Sequence, residues 1–109
     1  EAAVVRYLED EGYQIVGTNL RLGHLELDIV ARRDSTIAVV EVRTRGTGAW
    51  TTAFGSMDAK KRLRIRRAGE RLWQRRYRND PSVERLRFDA AAVTFEAGEP
   101  RVEYVVAAF

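Results

Sequence analysis

Cysteine is absent from this sequence, histidine and methionine occur once each, and proline twice, among 109 residues. The missing thiols exclude a disulfide scaffold, a cysteine metal site and a cysteine nucleophile together, and they fit a reducing, cytoplasmic setting. His24 has neither a second histidine nor a cysteine with which to share a transition metal, and no Ser/His/Asp pattern around it, so a loop or strand-start position is expected for it. No glycine-rich phosphate loop occurs. No apolar run approaches the ~20 residues of a membrane span, and no charged-then-apolar leader opens the sequence, so neither membrane insertion nor export is expected. Residue 1 is Glu, and native residues are expected ahead of it. The chain is 45% apolar and short enough for one core, which implies a single domain over residues 1–109.

Charge is unevenly distributed. Between Asp58 and Arg78 stand ten cations (Lys60, Lys61, Arg62, Arg64, Arg66, Arg67, Arg71, Arg75, Arg76 and Arg78) against two acids, Asp58 and Glu70. The whole chain carries only +3, so everything outside that segment is net acidic. A basic segment on an acidic body points to a polyanionic partner, with nucleic acid ahead of an anionic membrane surface.

Residues 1–11 are rich in helix formers, and Gly12 stands where a helix stop belongs. Tyr13 to Arg21 reads as a strand weakened by Gly17, and Leu25–Ala31 and Ile37–Arg43 read as two strands of a hairpin. Thr44 to Met57, with Gly46, Gly48 and Gly55, reads as a loop, and Ser56 or Asp58 can cap a helix that follows. From Ala59 to Tyr77 the positions Ile65, Ala68, Leu72 and Trp73 make a narrow apolar stripe on an otherwise basic helix, ended by Asn79, Asp80 and Pro81. Leu86–Phe95 and Arg101–Val106 close the chain as strands. The order αβββαββ implies an α+β fold of helices on a sheet.

The hairpin concentrates the chemistry. With its turn between Asp34 and Ser35, Asp28 faces Glu41 and Glu26 faces Arg43. Alternation then places those four residues on one mixed face with Val30 and Val39, and Leu27, Ile29, Ala31, Ala38, Val40 and Val42 on a core face. Acids opposed across strands, with Cβ atoms roughly 5 Å apart, destabilise a sheet unless a cation offsets them. Mg²⁺ takes oxygen ligands and is commonly held by one or two carboxylates, waters and substrate phosphate. It could polarise a phosphodiester and activate water, with Arg43 stabilising developing negative charge. Spacing alone leaves a second reading equally open: a solvated face whose acids pair with Arg43 and Arg45.

The string Glu26-Leu27-Asp28-Ile29-Val30-Ala31, a short turn, then Val40-Glu41-Val42-Arg43-Thr44-Arg45 resembles the PD-(D/E)XK, restriction-endonuclease-like nucleases. Within them it looks most like the uncharacterised bacterial YraN-like family. The likeness extends to Gly12-Tyr13, Asn19 and Arg21, the basic helix, Arg87-Phe88-Asp89 and the closing Ala108-Phe109. It implies the αβββαβ nuclease core, a mixed sheet flanked by helices, related to Holliday-junction resolvases. It also implies Asp28 and Glu41 as ligands for Mg²⁺, with Mn²⁺ as the alternative ion. Glu1 matches an acid that junction resolvases add to the metal site, and Glu26 the acid of the family's Gly-Glu-Ile-Asp stretch. Arg43 stands where the superfamily has Lys, Leu25 where this family has Gly, and Ala107 where an Asn precedes the final Ala-Phe. Arg is a planar fork that stays protonated, so Arg43 can clamp phosphate but cannot act as a neutral base.

The expected activity is Mg²⁺-dependent hydrolysis of phosphodiesters in branched or structured DNA, with Asp28, Glu41, Arg43 and Glu26 catalytic and Asp28, Glu41 and Glu1 at the metal. The alternative is a nucleic-acid-binding module with lost or marginal catalysis on the same scaffold. A third reading is a protein-interaction domain whose basic helix docks an acidic partner. Lys60, Lys61, Arg62, Arg64 and Arg67 are expected along phosphates, with Arg45. Trp50 could stack on an unpaired base or cover the core edge, and Trp73 is expected in the core. Asp89 is expected to be a buried polar partner, and a homodimer would let so small a core reach two strands.

Overall fold

The computed structural model describes residues 1–45 and 59–109. The fold is α+β, a five-stranded mixed sheet with one helix on each face. Helix α1 spans Ala2–Asp10 and is followed by strands β1 (Gln14–Leu22), β2 (Leu25–Arg33) and β3 (Thr36–Arg45). Helix α2 spans Ala59–Leu72 and continues as one π-helical turn, Trp73–Tyr77, before β4 (Arg85–Glu96) and β5 (Glu99–Val105). The strands lie side by side in chain order, antiparallel except for β3 and β4, which pair in parallel across the crossover containing α2.

Two-sided burial explains the sequences of the central strands. Ile37 and Val39 of β3 face α2, whereas Ala38 and Val40 face α1, so an apolar run replaces simple alternation. Ala90, Ala91, Ala92 and Val93 do the same on β4. The expected division into one core face and one mixed face is therefore corrected: each face carries a buried cluster. Leu27 also departs from expectation. It packs in the α2 cluster although Ile29, two residues on, packs in the α1 cluster, so alternation breaks between them.

Helix α1 buries Val4 and Leu8, one turn apart, under the sheet. It stops where Gly12 adopts φ +89° and the Tyr13 amide donates to the Leu8 carbonyl at 2.9 Å, a left-handed cap that a Cβ would strain. Helix α2 buries Ile65, Ala68, Gly69 and Leu72. At Gly69 an added Cβ would lie 2.7 Å from the Phe88 ring, so glycine is what lets the helix sit down on β4.

The hairpin register is as expected between Ile29↔Val40 and Arg33↔Thr36, around a two-residue turn at Asp34 and Ser35. Thr44 and Arg45 belong to β3 rather than to the loop, because β4 pairs with them at Val93 and Thr94. The second hairpin turns in two residues, Ala97 and Gly98, so β5 starts two residues earlier than the sequence suggested. Trp73 packs partly buried against the α2 cluster. Trp50, the capping candidates Ser56 and Asp58, and the Arg45 side chain lie outside what the structure describes.

Asp89 is fully buried, as expected, and ties the C-terminal segment to the sheet. It accepts from Arg87 at 2.7 and 2.8 Å, from the Tyr104 hydroxyl at 2.5 Å and from the Ala107 amide at 2.9 Å. Arg87 also donates to the Tyr13 hydroxyl at 2.6 Å. A buried carboxylate is tolerable when its lone pairs are satisfied in this way.

Candidate functional site

The β2–β3 ladder ends at Ile29↔Val40, one step short of the expected Asp28↔Glu41 pair. Asp28 compensates with its side chain: its Oδ2 accepts the Val42 amide at 2.9 Å. The expected pairing of Glu26 with Arg43 does not form. Glu26 instead pairs with Arg21 of β1, in register and as an ion pair at 3.7 Å. Where the two strands cease to pair, a cleft of about 250 Å³ is lined by His24, Leu25, Glu26 and Asp28 from the β2 side, Glu41 from β3, and Lys61, Arg64 and Ile65 from α2.

Glu41 is the buried acid of this cleft, 6% exposed. The Lys61 ammonium lies 2.7 Å from its Oε1, and the Arg43 guanidinium 3.9 Å from the same oxygen. Burial pushes the Glu41 carboxyl above the ordinary carboxylate range; Lys61 opposes the rise and neighbouring Asp28 adds to it. Two acids of one sign in a partly dry cleft attract cations. The donors are carboxylate oxygens, which suits a hard ion such as Mg²⁺ or Mn²⁺ better than a soft one. Arg43 contributes the opposite preference. Among the described residues its buried Nε has no hydrogen-bond partner, Glu41 Oε1 at 3.9 Å being its ion-pair neighbour.

The profile of the Uncharacterised protein family UPF0102 matches residues 1–93. This chain belongs to that family. The UPF0102 protein sce2912 of Sorangium cellulosum is 54% identical over all of this chain and 76% of its own length. A UPF0102 protein of Bacteroides thetaiotaomicron is 37% identical over all of this chain and 87% of its own. One of Alkaliphilus oremlandii is 34% identical, with 100% and 92% covered. This UPF0102 protein is thus similar to bacterial proteins over its full described fold.

The structure gathers some of the residues that the UPF0102 sequence singles out and separates others. Asp28, Glu41 and Glu26 line one cleft, with Lys61 and Arg64 above them, and Arg43 stands beside Glu41. Glu1 is not part of that lining. Its Oε1 accepts from Asn19 Nδ2 at 3.0 Å, and Asn19 lies on β1 between the pairs Thr18↔Ile29 and Leu20↔Leu27, level with Asp28. Glu1 is therefore held one strand away. Among the described residues no three acidic or histidine side chains converge as a metal cage, so any ion here would rely on Asp28 and Glu41 with water or phosphate completing its shell. Lys60, Arg62 and Arg67 are exposed along α2, as phosphate contacts would require. Among the described residues no helix is long and apolar enough to cross a membrane.

Two features escaped the sequence reading. The Asp28–Val42 bond depends on where a ladder ends, which no spacing specifies. Lys61 reads from sequence as one of the phosphate-contacting cations, yet it precedes Ile65 by four residues and Ala68 by seven, the spacing of the buried stripe. Periodicity could have set it apart from Lys60.

Proposed function

We propose that this protein is a Mg²⁺-dependent endonuclease of the PD-(D/E)XK, restriction-endonuclease-like kind, acting on branched or structured DNA. One observation carries the reading: two carboxylates, Asp28 and Glu41, line one cleft with the cations Lys61 and Arg64, and Arg43 stands beside Glu41. Acids for a metal and cations for a phosphate, side by side, are the parts that phosphodiester hydrolysis needs. A metal ion held there would supply Lewis acidity and a water of lowered pKa. Asp28 and Glu41 would hold it. Arg43, beside Glu41, would contact the scissile phosphate through its guanidinium, and Glu26 at the rim would orient water. In the reaction water adds to phosphorus and gives up a proton, the P–O bond to the leaving strand breaks, and the departing oxygen takes up a proton. Glu1, with Asn19, would steady Asp28 from the neighbouring strand.

Exposed Lys60, Arg62 and Arg67 on α2 would follow the phosphate backbone, which fixes position without reading sequence. A core of this size covers one strand, so cutting a junction would take a second copy. Such a protein would work in the cytoplasm, where bacterial DNA lies.

Arg43 favours a second reading, a nucleic-acid-binding module with weak or no catalysis, because a guanidinium cannot shed its proton to serve as base. Cleavage assays on a synthetic four-way junction with Mg²⁺ separate the two. A nuclease loses cleavage by about two to three orders of magnitude in Asp28→Ala and Glu41→Ala while keeping the DNA affinity it has without metal. Junction binding without Mg²⁺-dependent cleavage by the parent chain would favour the binding module. In both cases affinity falls with salt at a log-log slope of about −0.9 per phosphate contacted, and absence of that dependence would rule both out.

A further inference from the structure

Lys61 is a cation where the proposed metal must bind. Its Nζ is 2.7 Å from Glu41 Oε1, the Glu41 side chain is 7% exposed, and that of Lys61 is 34% exposed. The acid is thus inside the cleft while the lysine reaches in from the mouth. Lys61 stands on the first turn of α2, and its flexible stem can carry the ammonium to another acceptor without moving the helix. Acceptors of the right kind would be nearby: phosphate oxygens entering the cleft would meet Lys61 and Arg64 one turn further along α2.

From this arrangement we infer that Lys61 is an exchangeable counter-ion that makes metal binding depend on nucleic acid. In the free protein its ammonium occupies Glu41 and competes with a divalent ion for the same oxygen. When a phosphate backbone enters, the ammonium transfers from carboxylate to phosphate and Glu41 is released to the metal. A divalent ion and an ammonium share one carboxylate oxygen poorly, because like charges at contact repel strongly in a partly buried site. The coupling is reciprocal, so DNA tightens the metal and the metal tightens DNA by the same factor, of the order of 5- to 150-fold for ordinary two-site coupling. Lys61 thereby acquires a role distinct from Lys60 and Arg62, which are exposed and do not line the cleft.

The inference rests on the metal-site reading above, and its test keeps the two apart. Mn²⁺ affinity is measured by calorimetry without DNA, on the whole chain, for the parent, Lys61→Met, Lys61→Arg and Glu41→Gln. Removal of the competing cation is expected to tighten Mn²⁺ in Lys61→Met by about fivefold or more, the low end of such coupling, while Lys61→Arg stays near the parent. Unchanged or weaker affinity in Lys61→Met overturns the inference, since a lysine that merely positions Glu41 would give that result. If Glu41→Gln binds Mn²⁺ as tightly as a tightened Lys61→Met does, the metal-site reading itself fails. Should Lys61→Met not fold, the parent's lysine ammonium signals in a ¹⁵N NMR spectrum decide instead. Mg²⁺ with a junction DNA must shift the Lys61 signal away from its carboxylate-bound position, and a signal unmoved by both overturns the exchange.

Discussion

The carboxylate of Asp28 accepts the amide of Val42 at 2.9 Å, one step beyond the last backbone pair of the β2–β3 hairpin. A side chain thus takes over where the ladder stops. The same bond that satisfies a backbone donor also sets Asp28 beside Glu41, so the fold and the candidate site share an atom.

That dual role predicts a split between two substitutions. Asparagine retains an oxygen that can accept from Val42, whereas alanine leaves the amide without its partner. Asp28→Ala should lose about 1–3 kcal/mol in urea unfolding, and Asp28→Asn clearly less. Both should lose metal-dependent cleavage. Equal destabilisation by the two would mean that the Val42 bond is incidental.

The hairpin register, the five strands and the basic helix could be read from the sequence because each is set by local pattern: turn residues at Asp34, short β-branched apolar runs and helical spacing. The site was legible only in part. Asp28 and Glu41 were identified by residue type and separation along the hairpin, but their geometry depends on the strands parting at Ile29↔Val40. Leu27 went to the wrong face for the same reason, since alternation assumes an unbroken pleat. Lys61 and Glu41 lie far apart in sequence, and only docking of α2 through Gly69 brings them together.

Glu41 gives a pH signature. Burial raises its folded value above the unfolded 4.5, so the stability belonging to its neutral form is fully present below 4.5 and lost as pH rises through the raised value. Relative to Glu41→Gln, whose side chain does not titrate, the parent's unfolding free energy should therefore fall as pH climbs from 4.5 towards neutrality, in metal-free buffer. Urea titrations at a series of pH values check it. A parent that gains on the variant over that range would show the Lys61 pair outweighing burial.

Gly69 tests how closely α2 is seated. A methyl group there meets the Phe88 ring at 2.7 Å, and the ring or the helix has to yield. Gly69→Ala should destabilise by about 1–3 kcal/mol despite alanine's better helix propensity, measured as a lower melting temperature. A stabilised variant would show that the ring moves freely.

Tyr104 predicts an alkaline limit. Its phenol is held protonated above the ordinary 10.0, first by burial and then by its hydrogen bond to Asp89. The associated stability is fully present below pH 10 and is lost as pH rises beyond it. Tyr104→Phe should lose about 1.5–3 kcal/mol at pH 7, the scale of a hydrogen bond to a charged group, with the gap from the parent narrowing above pH 10. Chemical unfolding at pH 7 and at pH 11 measures both, and a constant gap would contradict the assignment.

The central claim is that Asp28 and Glu41 form one divalent-cation site. Its most direct test is calorimetric titration of Mg²⁺ into the chain in the presence of a non-cleavable junction DNA, for the parent and Asp28→Asn at near-neutral pH. The account predicts saturable Mg²⁺ binding by the parent–DNA complex that is lost in the Asp28→Asn complex, although that variant still folds and still binds DNA. Equal Mg²⁺ binding by both complexes, or none by the parent, would contradict it.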